Sequence, residues 1–125
     1  MATLAGCYAP QAGNPIASYD GARLYRENCA ACHGKTGAGD GPMVPHLATS
    51  PSNLRSLSAR NEGIFPGLAV SRQIDGRDLL AVHGTREMPV WGWQFARADK
   101  DLREPKEQTH ARIDALVSFL QTIQE

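Results

Sequence analysis

The chain has 125 residues, with 13 Lys plus Arg balancing 13 Asp plus Glu, and only three Phe, three Tyr and two Trp. That length suits one domain with a modest hydrophobic core. The neutral formal charge argues against a nucleic-acid binder, and no run of residues reaches the apolar length of a membrane span.

Residues 1–18 read as a leader and linker ahead of a single domain at 19–125. Leu4-Ala5-Gly6-Cys7 looks like the lipobox of bacterial lipoproteins, in which cleavage makes the cysteine the new, lipidated N-terminus. The residues before Cys7 lack a basic n-region and a full apolar h-region, so on this reading they are the tail of a longer signal peptide. The alternative is an ordinary exposed cysteine in a loose leader. Residues 8–18 are rich in Pro, Gly and Ala and have the composition of a linker.

A first helix is predicted from Asp20, a residue type suited to the N-cap. Gly21, Leu24, Tyr25 and Asn28 follow at i, i+3, i+4 and i+7 and share one face. Gly21 near its start is explained either by another element approaching closely or by simple fraying.

Cys29-Ala30-Ala31-Cys32-His33 comes next. Cys-x-x-Cys-His is the attachment signature of a c-type haem: the two sulfurs form thioethers to the porphyrin, and the adjacent histidine is held where it can bind the iron. Three other uses of the spacing are weaker. A thioredoxin-type site needs a βαβ context, which is missing. A zinc site needs further ligands, usually a second close pair, and none follows. A disulfide leaves His33 unexplained.

The stretch Gly34-Lys-Thr-Gly-Ala-Gly-Asp-Gly-Pro42 is a turn-rich loop. A phosphate-binding loop places Gly-Lys-Ser/Thr at its end, after a strand; here the triplet comes first and no strand precedes it. Pro45-His46-Leu47 closes this loop, and residues 48–55 read as loop. Ser56 is a candidate cap for a short helix through Arg60, stopped by Gly63. Another helix is predicted to start at Pro66, carry Leu68, Val70 and Ile74 inward and stop at Gly76. Met88-Pro89-Val90-Trp91 follows. Residues 92–108 read as a charged, broken and solvated stretch. The last helix is predicted over 109–123, with Ile113, Leu116, Val117 and Leu120 at i, i+3, i+4 and i+7. No strand-like alternation and no internal repeat is present, so the class is all-α with long loops.

Over residues 19–124 the order of N-terminal helix, Cys-x-x-Cys-His, Met-Pro and C-terminal helix resembles the class I c-type cytochromes, the mono-haem bacterial type. The resemblance implies a cytochrome c-like fold: terminal helices that cross, with short helices and long loops wrapped around one covalently bound haem. Gly21 or Tyr25 would meet Phe119 at the crossing. Cys29 and Cys32 would carry the haem c, and His33 would be the proximal metal ligand. Pro45, with Pro42 as alternate, would give its carbonyl to His33, and Leu47 would pack on the haem edge. Met88 would be the distal ligand, with Met43 the weaker rival. A neutral thioether in that position favours ferrous iron. Trp91 and Trp93 would line the pocket or simply pack. His83 has a weak claim to the distal site, and His46 and His110 weaker ones.

The function this implies is one-electron transfer with His/Met ligation, in a bacterial periplasmic or membrane-surface chain, respiratory or dehydrogenase-linked, with no catalytic residues. The implied partners are redox proteins, donor and acceptor, with a membrane tether through a lipidated Cys7. The protein would be a monomer or a subunit of a redox complex. Two other functions share the motif: a haem protein with a labile sixth ligand that binds gases or does catalysis, and an electron-transfer subunit of a larger oxidoreductase.

Overall fold

The computed structural model describes residues 18–79 and 86–125. Cys7 and His83 lie outside them. Among the described residues every regular element is helical: α1 (Gly21–Asn28), α2 (Ala30–His33), α3 (Gly67–Asp75), α4 (Trp91–Asp99) and α5 (Pro105–Thr122). Three short 3₁₀ turns, Val44–His46, Leu54–Ser56 and Ala59–Asn61, punctuate the loop between α2 and α3. This is the predicted all-α, cytochrome c-like architecture. Among the described residues no helix is long and apolar enough to cross a membrane.

Helix α1 starts where its cap predicts. Asp20 is extended, and its carboxylate accepts the Arg23 amide at 3.2 Å. Leu24 and Tyr25 are buried, and the Tyr25 hydroxyl donates to the Gly34 carbonyl at 2.7 Å. The long helix α5 is the centre of the fold, packed by α1, α3 and α4. Its inward stripe is Ile113, Leu116 and Leu120, with Leu116 fully buried and Val117 packed at the margin. Where α1 crosses α5, a Cβ on Gly21 would fall on the Ala115 carbonyl oxygen, so only glycine permits this approach. Beside it the Tyr25 and Phe119 rings lie 5.2 Å apart at 44°. Both residues named for the crossing therefore take part in it.

Four expectations need correction. The turn after residue 53 is two 3₁₀ pieces rather than one helix. Its cap is Asn53, which accepts the Arg55 amide at 2.9 Å, while Ser56 Oγ donates to the Asn53 carbonyl at 3.2 Å. Pro66 is the cap of α3 and not its first residue. Leu68 is 79% exposed. It stands two residues before the buried Val70, and two residues at about 100° each bring it to the far side of the helix.

The largest correction concerns 92–108. Residues 91–99 form α4, which buries Phe95 against α5. Its terminal Asp99 is fully buried, bonded to both Arg112 and Thr109. Helix α5 begins four residues earlier than predicted, with Pro105 at its first turn after Glu104 in the left-handed region. Pro fits there because the first turn's amides have no intrahelical acceptor. The exposed charges of the stretch thus lie at Arg97 on α4, in the turn at 100–104 and on the outer face of α5.

Candidate haem site

The Cys-x-x-Cys-His motif forms α2, a single turn directly after α1, with its helix carbonyls answered by the loop that follows. Gly39 donates to His33 O at 2.7 Å, Gly41 to Cys32 O at 3.1 Å and Met43 to Ala31 O at 2.9 Å. The glycine-rich stretch therefore folds back on the motif and buttresses it. Leu54 donates to Gly37 O at 2.7 Å, which draws residues 51–54 alongside.

That approach settles the partner of His33. Its Nδ1 lies 3.0 Å from the Ser52 carbonyl oxygen. A carbonyl can only accept, so Nδ1 is the donor in this contact, which leaves Nε2 as the nitrogen that can bind a metal. The expected carbonyl of Pro45, or of Pro42, is not the partner. Pro45 sits in the 3₁₀ turn Val44–His46, which is held in place by the Met43 anchor, and neither proline borders the cavity. The contact is of the predicted kind, made by a different residue.

A cavity of about 440 Å³ opens beside the motif, within the size range of cofactor sites, ~300–1,000 Å³. Cys29, Cys32 and His33 line it together with Leu47, Pro51, Met88, Pro89 and Trp91. Of the residues predicted for the site, Cys29, Cys32, His33, Leu47, Met88 and Trp91 therefore meet around one space, and Pro45 does not. Met43 and Trp93 do not: they are 42% and 49% exposed and lie off the cavity. His110 borders a small polar recess between α3 and α5, and His46 borders none of these spaces. Trp91 links the cavity to the core, its ring 5.5 Å from that of Phe95.

Burial, and then the neighbouring Cys32, push the Cys29 thiol up to about 12, so before any attachment it is a neutral thiol. Both cysteines are free of disulfide bonding. Among the described residues no cluster of His, Cys, Asp and Glu is arranged to hold a metal ion by side chains alone. Two thiols, a metal-competent imidazole and a thioether around one largely apolar cavity are a donor set that fits a haem. Cys29 and Cys32 would hold it covalently.

Sequence reasoning missed the surroundings of Met88. Arg86 and Glu87, immediately before it, also line the cavity, as do Asn28 and Gln73. The Arg86 guanidinium donates to three backbone carbonyls, and the Glu87 carboxylate accepts two backbone amides. Burial holds the Arg86 guanidinium below its ordinary affinity for a proton. The signal that could have found them was position alone: an unlike-charged pair abutting Met-Pro.

The model of the family described as Cytochrome c matches residues 18–124. No curated protein and no solved structure matches the chain. With the attachment motif, the cavity beside it and the family match over most of its length in agreement, the chain belongs to the cytochrome c family, whose haem c is covalently bound, with Cys29 and Cys32 at the attachment spacing.

Proposed function

We propose that the protein is a one-electron carrier whose haem is ligated by His33 and Met88. The observation that carries this reading is that both residues line the cavity that also takes both thiols, with the imidazole oriented by the Ser52 carbonyl at Nδ1. The bound haem supplies an iron that alternates between ferric and ferrous. The chain supplies the rest. Ser52 fixes the ring of His33 and raises its basicity. Leu47, Pro89 and Trp91 exclude water from the cavity. Met88 offers a neutral sulfur, which favours the reduced state.

The reading extends to the setting. In this family bacterial thioether attachment takes place outside the cytoplasm, which supports a setting in the periplasm or at the membrane surface. The Leu-Ala-Gly-Cys string supports a lipid tether at Cys7. Its partners are redox proteins, a donor and an acceptor, met either as a free shuttle or within a complex.

Carbon monoxide tests the carrier function. With both axial positions filled by protein, the reduced holoprotein keeps its spectrum when mixed with the gas. Rapid formation of a carbonyl adduct would instead show an open or labile site and shift the function to gas binding or catalysis.

A further inference from the structure

The two residues before Met88 grip two different parts of the fold. We infer that Arg86 and Glu87 form a clamp that holds the Met88 segment in place and sets how readily Met88 leaves the iron, an inference that rests on the His33/Met88 reading above. Arg86 donates through Nη1 to Gln73 O at 2.7 Å, through Nε to Met88 O at 2.7 Å and through Nη2 to Pro89 O at 2.8 Å. One planar guanidinium thus fastens the carbonyls of both Met88 and Pro89 to the last turns of α3. Gly76 makes room for it: that residue ends α3 at φ 73°, and a Cβ there would lie 2.8 Å from Arg86 Cζ.

Glu87 holds the other side. Its two carboxylate oxygens accept the amides of Ala48 at 2.7 Å and Thr49 at 3.0 Å. Those amides follow directly on Leu47, which lines the same cavity. The segment is therefore tied to α3 by one residue and to the 47–49 loop by the next.

All three hydrogen-bond acceptors of Arg86 are neutral carbonyls, so the spread of its fork is what the three contacts use. A lysine carries its donors on one atom and cannot span them. Methionine itself has three freely rotating bonds and no rigid shape. The placement of its sulfur depends on the backbone that carries it, and Arg86 and Glu87 are what hold that backbone. They are positioning residues, acting through Met88.

The test is the rate at which cyanide enters the ferric holoprotein at neutral pH, recorded alongside the far-red band of methionine ligation. Arg86→Ala keeps the band and takes up cyanide about 10- to 100-fold faster than the parent, the effect of losing one charged hydrogen bond or more. Arg86→Lys stays near the alanine variant. Glu87→Gln, a change at an exposed side chain, speeds entry by about fivefold or more through the loss of charge and one acceptor. Arg23→Ala removes an exposed guanidinium paired with Glu27 and leaves the rate at the parent value. Parent-like rates in both Arg86→Ala and Glu87→Gln, with the band present in the parent, overturn the clamp and leave Met88 ligation standing. Absence of the band from the parent overturns both. If Arg86→Ala does not fold, Glu87→Gln decides alone.

Discussion

Asp99 and Arg112 form a forked ion pair inside the interface between α4 and α5. Arg112 Nη2 and Nε reach Asp99 Oδ1 at 2.6 and 3.0 Å, and Thr109 Oγ1 donates to Oδ2 at 3.0 Å. The same guanidinium lies 4.5 Å from the centre of the Tyr19 ring, so it also pins the chain entering α1. Asp99→Ala leaves that guanidinium largely buried without its partner. The expected loss is about 3 kcal/mol or more, read from the denaturant midpoint. Adding Arg112→Met to Asp99→Ala recovers part of it, because no unpaired charge then remains. A single variant within ~0.5 kcal/mol of the parent would show that the pair contributes little to stability.

Two Gly→Ala changes, one at the crossing of α1 and α5 and one in α3, have opposite predicted signs. At Gly21 the new methyl would meet the Ala115 backbone carbonyl and lie 2.9 Å from Phe119 Cβ, atoms with no freedom to move aside. The overpacking cost of about 1–3 kcal/mol outweighs the gain of under ~1 kcal/mol in helix propensity. At Gly67, in the first turn of α3, the methyl meets only the Phe65 ring and Val117 at 3.8–3.9 Å. Gly67→Ala should stabilise by about 0.5 kcal/mol. Thermal midpoints of the two holoproteins check both signs.

Alkaline pH should act through Tyr25. Burial, then the nearby Cys29 and Asp40, push its phenol from 10.0 up to about 12. The unfolded chain ionises first, so the contribution of Tyr25 to stability is intact below pH 10 and is lost as the pH climbs from 10 to about 12. Tyr25→Phe removes this loss and flattens the stability profile over that window. It costs about 1 kcal/mol at neutral pH through the bond to Gly34. An unchanged slope in the variant would assign the alkaline loss to other groups. In the haem-free chain Cys29 adds a loss of the same sign; in the holoprotein it is a thioether and does not titrate.

Attachment itself is tested by mass. Replacing either Cys29 or Cys32 by Ala leaves one thioether, and replacing both leaves a chain that sheds its haem under denaturing conditions. Haem retained through denaturation by the double variant would contradict covalent attachment at these positions.

Much of the fold was legible because it is written in local patterns. The Asp20 cap, the Leu24–Tyr25 pair, the stripe Ile113–Leu116–Leu120 and the Gly76 stop each depend on residues within a turn or two of one another. What escaped depends on residues far apart. Asp99 reads as a solvated charge until Arg112 and Thr109 come to it from the next helix, and α4 was hidden with it. Leu68 has the right composition for a core residue but stands on the wrong side of its helix. The cavity residues Cys29, Cys32, His33, Leu47, Met88 and Trp91 were found by motif and order. The contact to His33 was assigned to Pro45 because the resemblance implies a proline carbonyl there, whereas the carbonyl of Ser52 is a backbone atom that no residue type announces.

The far-red absorption of the ferric holoprotein tests the central claim most directly. His33/Met88 ligation predicts the weak band of methionine–iron bonding in the parent and its loss in Met88→Ala, with haem still covalently attached in both. A parent protein without the band, or a Met88→Ala variant that keeps it, would contradict Met88 as the distal ligand.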